Sequence, residues 1–111
     1  KKIEAIIRIE KLEEMADALE KLGYPGMSVT RIEGHGRQKG IVEQFRGREF
    51  KVNLIPKIKL EIIVKDTEVE KIVNSIISVA KTGEIGDGKI FLSSIDDVYR
   101  IRTGEKGEKA V

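Results

Sequence analysis

Apolar positions along this chain alternate between a two-residue and a three-to-four-residue rhythm. KIEAIIRI, Lys2 to Ile9, is rich in isoleucine and reads as a strand, whereas Lys11 to Leu22 sets Leu12, Met15, Leu19 and Leu22 on one helical stripe. Gly23 and Pro25 end that helix, one by lacking a Cβ and the other by lacking an amide donor. MSVTRIE, Met27 to Glu33, is β-branched and alternating, and IKLEIIV, Ile58 to Val64, places Ile58, Leu60, Ile62 and Val64 on one face. Helical spacing then returns with Val69, Ile72, Val73, Ile76, Ile77 and Ala80, and Thr67 with Glu70 has the spacing of a capping box. Lys81 and Gly83 mark the end of this second helix. A fourth strand begins at Lys89 or Ile90, and VYRIR, Val98 to Arg102, reads as a short extended piece before a tail rich in glycine and charge.

The order βαββαβ predicts an α+β ferredoxin-like sandwich, a four-stranded antiparallel sheet with both helices on one face. The other face is left uncovered. Ile3, Ile7, Ile63 and Phe91 are expected to point that way and to favour self-association. Between the second and third core strands the chain runs from Gly34 to Pro56, where a short hairpin would suffice. Connections beyond ~15 residues are as a rule either functional or disordered. Ile41, Phe45, Phe50, Val52, Leu54 and Ile55 partly alternate, as a long β-hairpin would require. From Gly36 to Lys57 six basic residues (Arg37, Lys39, Arg46, Arg48, Lys51, Lys57) face two acids, Glu43 and Glu49, so the loop suits contact with a partner.

Composition narrows the classes. A chain of 111 residues, 40% of them hydrophobic, makes one core, and a single domain over 1–111 is expected. Although 36% of residues are charged, the formal net charge is only +2, which gives little support to generic nucleic-acid binding. An RNA-binding use of a ferredoxin-like sheet needs paired aromatics on its strands; aromatics are 5% of this chain, and Phe45 and Phe50 lie in the long loop. The absence of cysteine excludes disulfides and thiolate metal sites, and His35 alone makes no histidine cluster. No apolar run approaches the ~20 residues of a membrane span, and KKIEAIIRIE is too broken by charge for a signal peptide, so a cytoplasmic location is expected.

The candidate chemistry sits in TGEIGDGKIF, Thr82 to Phe91. Gly86 and Gly88 let backbone amides approach an anion, and Lys89 adds a compact cation suited to phosphate. The spacing is neither that of a Walker A loop nor GxGxxG, so a plain turn fits these residues as well. Arg100 and Arg102 stand at i and i+2 of the expected extended piece; both guanidinium groups would then leave one face and converge on a polyphosphate, surface ion pairing being the alternative. Lys89, Arg37 and Asp87 could position a phosphate for attack, but no spacing supplies a base and an oriented nucleophile, and no catalytic residue is assigned.

Taken together, GHGRQKG, TGEIGDGKIF and RIRTGE resemble the three signatures of the PII nitrogen-regulatory signalling proteins, and the likeness runs from KKIEAIIR to RTGEKGE. The resemblance implies a homotrimer with nucleotide clefts between neighbours, in which ATP and ADP compete and ATP with magnesium supports 2-oxoglutarate binding. It implies a T-loop at about 36–55, a nucleotide loop at about 82–89 and a C-terminal loop at about 100–111. By position, Gly86, Asp87, Gly88 and Lys89 hold nucleotide in one subunit, Arg100 and Arg102 reach it from the next, and Gly36, Arg37 and Gln38 complete the cleft. Ser28 stands where the family usually has threonine, and Ile63 at an adenine-contacting strand position. Gln38 matches the residue that coordinates magnesium beside 2-oxoglutarate; Lys39, Gly40 and Lys57 complete that ligand's site, Lys57 by pairing with a carboxylate.

The implied effector arm is the T-loop, whose Arg46 resembles the arginine that family members insert into the pore of an ammonium transporter; glutamine synthetase or nitrogenase-linked proteins are the alternative targets. Some positions depart from the family. RGREF puts Phe50 where many bacterial members have a modifiable tyrosine, and Arg48 where some have a phosphorylated serine, so covalent switching at both sites is excluded by chemistry. His35 replaces a usual phenylalanine and RIEKL a usual RPFKL, and nothing in the sequence explains either change.

Overall fold

The structure, a computed structural model, describes residues 1–24, 26–34, 41–45, 48–52 and 55–111, and of residues 34, 41–45 and 48–52 only the course of the backbone. Its elements are β1 (Lys2–Ile7), α1 (Leu12–Lys21), β2 (Ser28–Gly34), β3 (Ile41–Phe45), β4 (Arg48–Val52), β5 (Ile55–Ile63), α2 (Val69–Ala80) and β6 (Lys89–Ser93). Four strands form one antiparallel sheet in the order β2-β5-β1-β6, while β3 and β4 pair separately as a hairpin. Strand β5 therefore lies between β1 and β2, and β1 between β5 and β6, so the two βαβ units interlock. This is the expected ferredoxin-like sandwich.

Side-chain parity explains the core. Ile3, Ala5 and Ile7 stand opposite Ile62, Leu60 and Ile58, and all six are buried against the helices with Met15 and Leu19 of α1 and Ile72, Ile76 and Ala80 of α2. The expectation that Ile3 and Ile7 face away from the helices is thus corrected: they are 0% and 1% exposed, and Ile6 takes the outward position. Isoleucine occupies both parities at the end of β1, and only pairing with the buried stripe of β5 decides between them. Ile63, opposite Lys2, and Phe91, opposite Glu4, do lie on the open face. Charge shares that face with them. Lys2 Nζ pairs with Glu4 at 2.8 Å and Glu61 at 3.0 Å, and Lys59 reaches Glu61 at 3.5 Å.

Short 3-10 turns shift the element boundaries. Strand β1 stops at Ile7 because Ile9–Lys11 already forms a tight turn leading into α1. Asp66–Glu68 forms another, so α2 begins at Val69 behind Glu68, which makes no side-chain cap. The Thr67–Glu70 capping box is therefore not formed. Ile77, expected on the buried stripe, is half-exposed at its margin. The VYRIR segment is also corrected: only Tyr99 pairs, with Lys106, and residues 101–103 turn.

Candidate functional site

Three chain segments meet at one end of the sheet: β1 finishing at Ile7, β5 near its start at Lys57, and β6 beginning at Lys89. The loop from Thr82 to Gly88 is laid against them. Gly83, Gly86 and Gly88 adopt φ of +89°, +106° and +103°. Gly88 is required twice over, since a Cβ there would stand 1.7 Å from the Ile6 carbonyl oxygen. This close approach brings Lys89 opposite Ile6 in the β1–β6 register.

Charged side chains lace the loop to the sheet. The Lys57 ammonium, 8% exposed as a residue, donates to the Gly86 carbonyl at 2.7 Å. Burial lowers its affinity for a proton, the nearby Arg8 guanidinium lowers it further, and Glu10 and Asp87 oppose both. Arg8 donates through Nη2 to the Ile85 carbonyl at 2.9 Å and through Nε to Asp87 Oδ1 at 3.2 Å. Asp87 also accepts the Thr82 hydroxyl and the amides of Thr82 and Gly83, each amide at 2.9 Å. The Thr82 hydroxyl above all, then the Thr82 amide, the Gly83 amide and Arg8, hold this carboxyl well below the usual carboxylate range. Arg8, Lys57 and exposed Lys89 thus outnumber the two carboxylates that act on Lys57, Glu10 and the already satisfied Asp87, and the end of the sheet favours an anion. Beside it a groove of about 420 Å³ runs between α2 and β6, lined by Val73, Ile77, Asp87, Gly88, Lys89 and Leu92 among others.

The strand register arranges other candidates. Ser28 stands opposite Glu61 and Ile63 opposite Lys2, so Ser28, Ile63 and Lys89 share the open face. Ile63 lies six positions along β5 from Lys57, roughly 20 Å at strand rise, so the structure does not bring Ser28 and Ile63 together with the glycine loop. The arginine pair is not arranged as expected. Arg100 sits in a turn closed by its own amide to the Glu105 carbonyl and the Gly104 amide to its own carbonyl, both at 2.8 Å. Its guanidinium pairs with Glu105 Oε1 at 3.1 Å and the Lys109 carbonyl at 3.2 Å, while Arg102 is exposed on the turn. The two do not leave one face of an extended strand. Gly36, Arg37, Gln38, Lys39, Gly40 and Arg46 lie outside the described residues.

Sequence reasoning missed Arg8 and Thr82. Thr82 carries a weak local signal, a hydroxyl placed five residues before an aspartate in a glycine-rich loop. Arg8 carries none: it meets Asp87 only because β1 and β6 are neighbours, across 79 positions of chain.

A family model described as "Nitrogen regulatory protein P-II" matches residues 1–105. The chain belongs to the P-II family. Nitrogen regulatory protein P-II 2 of Methanothermobacter thermautotrophicus is 57% identical over 111 residues, covering all of this chain and 96% of that protein. Nitrogen regulatory protein P-II of Microchaete diplosiphon is 53% identical, with 100% and 99% covered. Among solved structures, Arabidopsis thaliana PII bound to citrate superposes with a TM-score of 0.79 at 41% identity, over 98% of this chain and 86% of that one. The glycine loop and the sandwich that carries it are therefore those of a P-II nitrogen regulatory protein.

Proposed function

We propose that this P-II chain works as a homotrimeric, cytoplasmic, non-catalytic sensor that binds ATP or ADP and 2-oxoglutarate and reports them through its T-loop. The observation that carries the reading is the glycine loop held against Arg8, Lys57 and Lys89 at the end of the open sheet face. Gly86, Gly88 and Lys89 take the phosphates, with Asp87 shaping the loop. Ser28 and Ile63, distant from the loop within one subunit, serve the nucleotide where neighbouring open faces meet, and Arg100 and Arg102 arrive from the adjacent subunit. Gly36, Arg37 and Gln38 close the cleft at the T-loop base.

Lys57, Gln38, Lys39 and Gly40 hold 2-oxoglutarate. The family resemblance assigns magnesium to Gln38, with the ligands' own oxygens completing a hard donor set that suits it. Bound there, it supplies charge that joins the two ligands. The effector arm carries Arg46 toward an ammonium transporter, with glutamine synthetase or nitrogenase-linked proteins as the other candidate targets.

Titration calorimetry tests this reading. ATP and ADP should compete for one site per subunit, Lys89→Ala should weaken both by roughly 1.5–3 kcal/mol as a lost charge-assisted bond, and 2-oxoglutarate should bind only with ATP and a divalent ion present. Because linkage is reciprocal, 2-oxoglutarate must tighten ATP by the same factor. Binding of 2-oxoglutarate without nucleotide and metal would overturn the coupling. Capture of the transporter with ADP, lost with ATP plus 2-oxoglutarate or with Arg46→Ala, would assign the target.

A further inference from the structure

The glycine loop keeps its one aspartate turned inward. Asp87 Oδ1 accepts the Thr82 hydroxyl and Arg8 Nε, and Oδ2 accepts the amides of Thr82 and Gly83. The same Thr82 hydroxyl oxygen accepts the Glu84 amide at 3.1 Å, and Arg8 Nη2 holds the Ile85 carbonyl at 2.9 Å. Residues 82–87 are thereby closed into a hydrogen-bonded ring, strapped to the end of β1. The Lys57 bond to the Gly86 carbonyl adds a second strap from β5. Immediately beyond the ring stand Gly88 and Lys89, both exposed.

A carboxylate aimed into an anion site would repel the ligand it is supposed to bind. Here both oxygens are spent on donors from the protein itself. We propose that Thr82 and Asp87 are positioning residues for the polyphosphate: their ring fixes the loop shape in which Gly88 and Lys89 meet the ligand, and the Thr82 hydroxyl is the group that closes it. The inference rests on the nucleotide reading above and deepens it. It gives a role to Thr82, which opens the TGEIGDGKIF signature but to which the resemblance assigned none, and gives Asp87 an indirect role in place of ligand contact. Arg8 ties the ring to the sheet, so its position relative to the loop is set by the fold and not by the loop itself.

The test compares Thr82→Val, which keeps shape and both loop amides but removes the hydroxyl, with Thr82→Ser, which restores it. In the full chain, calorimetry with ATP should show Thr82→Val weaker by about fivefold or more and Thr82→Ser within about twofold of wild type, the scale of one hydrogen bond. Carbon NMR of the Asp87 carboxyl supplies a readout that a general loss of stability would not move. In wild type this group should titrate well below its ordinary value of 3.8, in Thr82→Val the titration should move up toward that value, and in Thr82→Ser it should return. ATP binding by Thr82→Val equal to wild type, or Thr82→Ser as weak as Thr82→Val, overturns the positioning role alone. A wild-type protein that binds no ATP overturns the reading of the site and the positioning role with it.

Discussion

Gly88 illustrates how much a single position can decide. Its φ of +103° is reachable by other residues only with strain, but the contact with the Ile6 carbonyl leaves no room for a side chain at all. Gly83, with φ +89°, has open space where a Cβ would stand, with nothing within 4 Å, and carries the conformational penalty only. Gly88→Ala should therefore cost at least about 2 kcal/mol and lower the melting midpoint by roughly 8 °C or more, whereas Gly83→Ala should cost about 1 kcal/mol. Scanning calorimetry of the two variants checks the ranking. Equal losses would mean that β6 can slide away from Ile6, and that the loop is not pinned as described.

The β3–β4 hairpin pairs through Ile41 with Val52 and Phe45 with Arg48, within itself and apart from the four-stranded sheet. Each core helix, by contrast, sends a buried stripe into the shared core: Met15 and Leu19 from α1, Ile72, Ile76 and Ala80 from α2. An element that contributes no strand to the main sheet can be removed at the small entropic difference between a long and a short loop. Replacing residues 41–52 by a short turn should leave the melting midpoint within about 5 °C of wild type and abolish capture of the target protein, while Ile76→Ala should cost about 2–5 kcal/mol through the cavity it leaves. Thermal melts and a pull-down with the target measure both. A truncated hairpin that unfolds the domain would show that β3 and β4 support the core.

Across the whole molecule, the helix-free face of the sheet combines Ile6, Ile63 and half-exposed Phe91 with the Lys2, Glu4, Lys59 and Glu61 charge cluster. Apolar side chains interleaved with ion pairs suit contact between copies, where burial makes the pairs directional. Phe91→Asp introduces a carboxylate beside Glu4, its partner across the β1–β6 pair, and should convert the proposed trimer to monomer by light scattering. ATP affinity should fall in the same variant, because in the proposed trimer Arg100 and Arg102 reach each cleft from a neighbour. A monomer with undiminished ATP affinity would place the entire nucleotide site within one subunit.

Much of this protein is written in local pattern. Strand and helix order, the two helical stripes and the glycine loop follow from periodicity and residue type, since these depend on neighbours within a turn or two. Parity at β1 does not, because Ile3, Ile6 and Ile7 are chemically equal and only the partner strand selects which are buried. The Thr67–Glu70 spacing is likewise permissive, and the 3-10 turn at Asp66–Glu68 overrides it. The i, i+2 rule for Arg100 and Arg102 applies only to a strand, and a turn closed by Glu105 removes that premise. Arg8 and Asp87 are both visible as charges, but the bond between them exists only once β1 and β6 lie side by side. Residue types and their periods are local properties of the chain; which charge meets which, and which isoleucine is covered, are set by pairing between distant strands, and so belong to the tertiary structure alone.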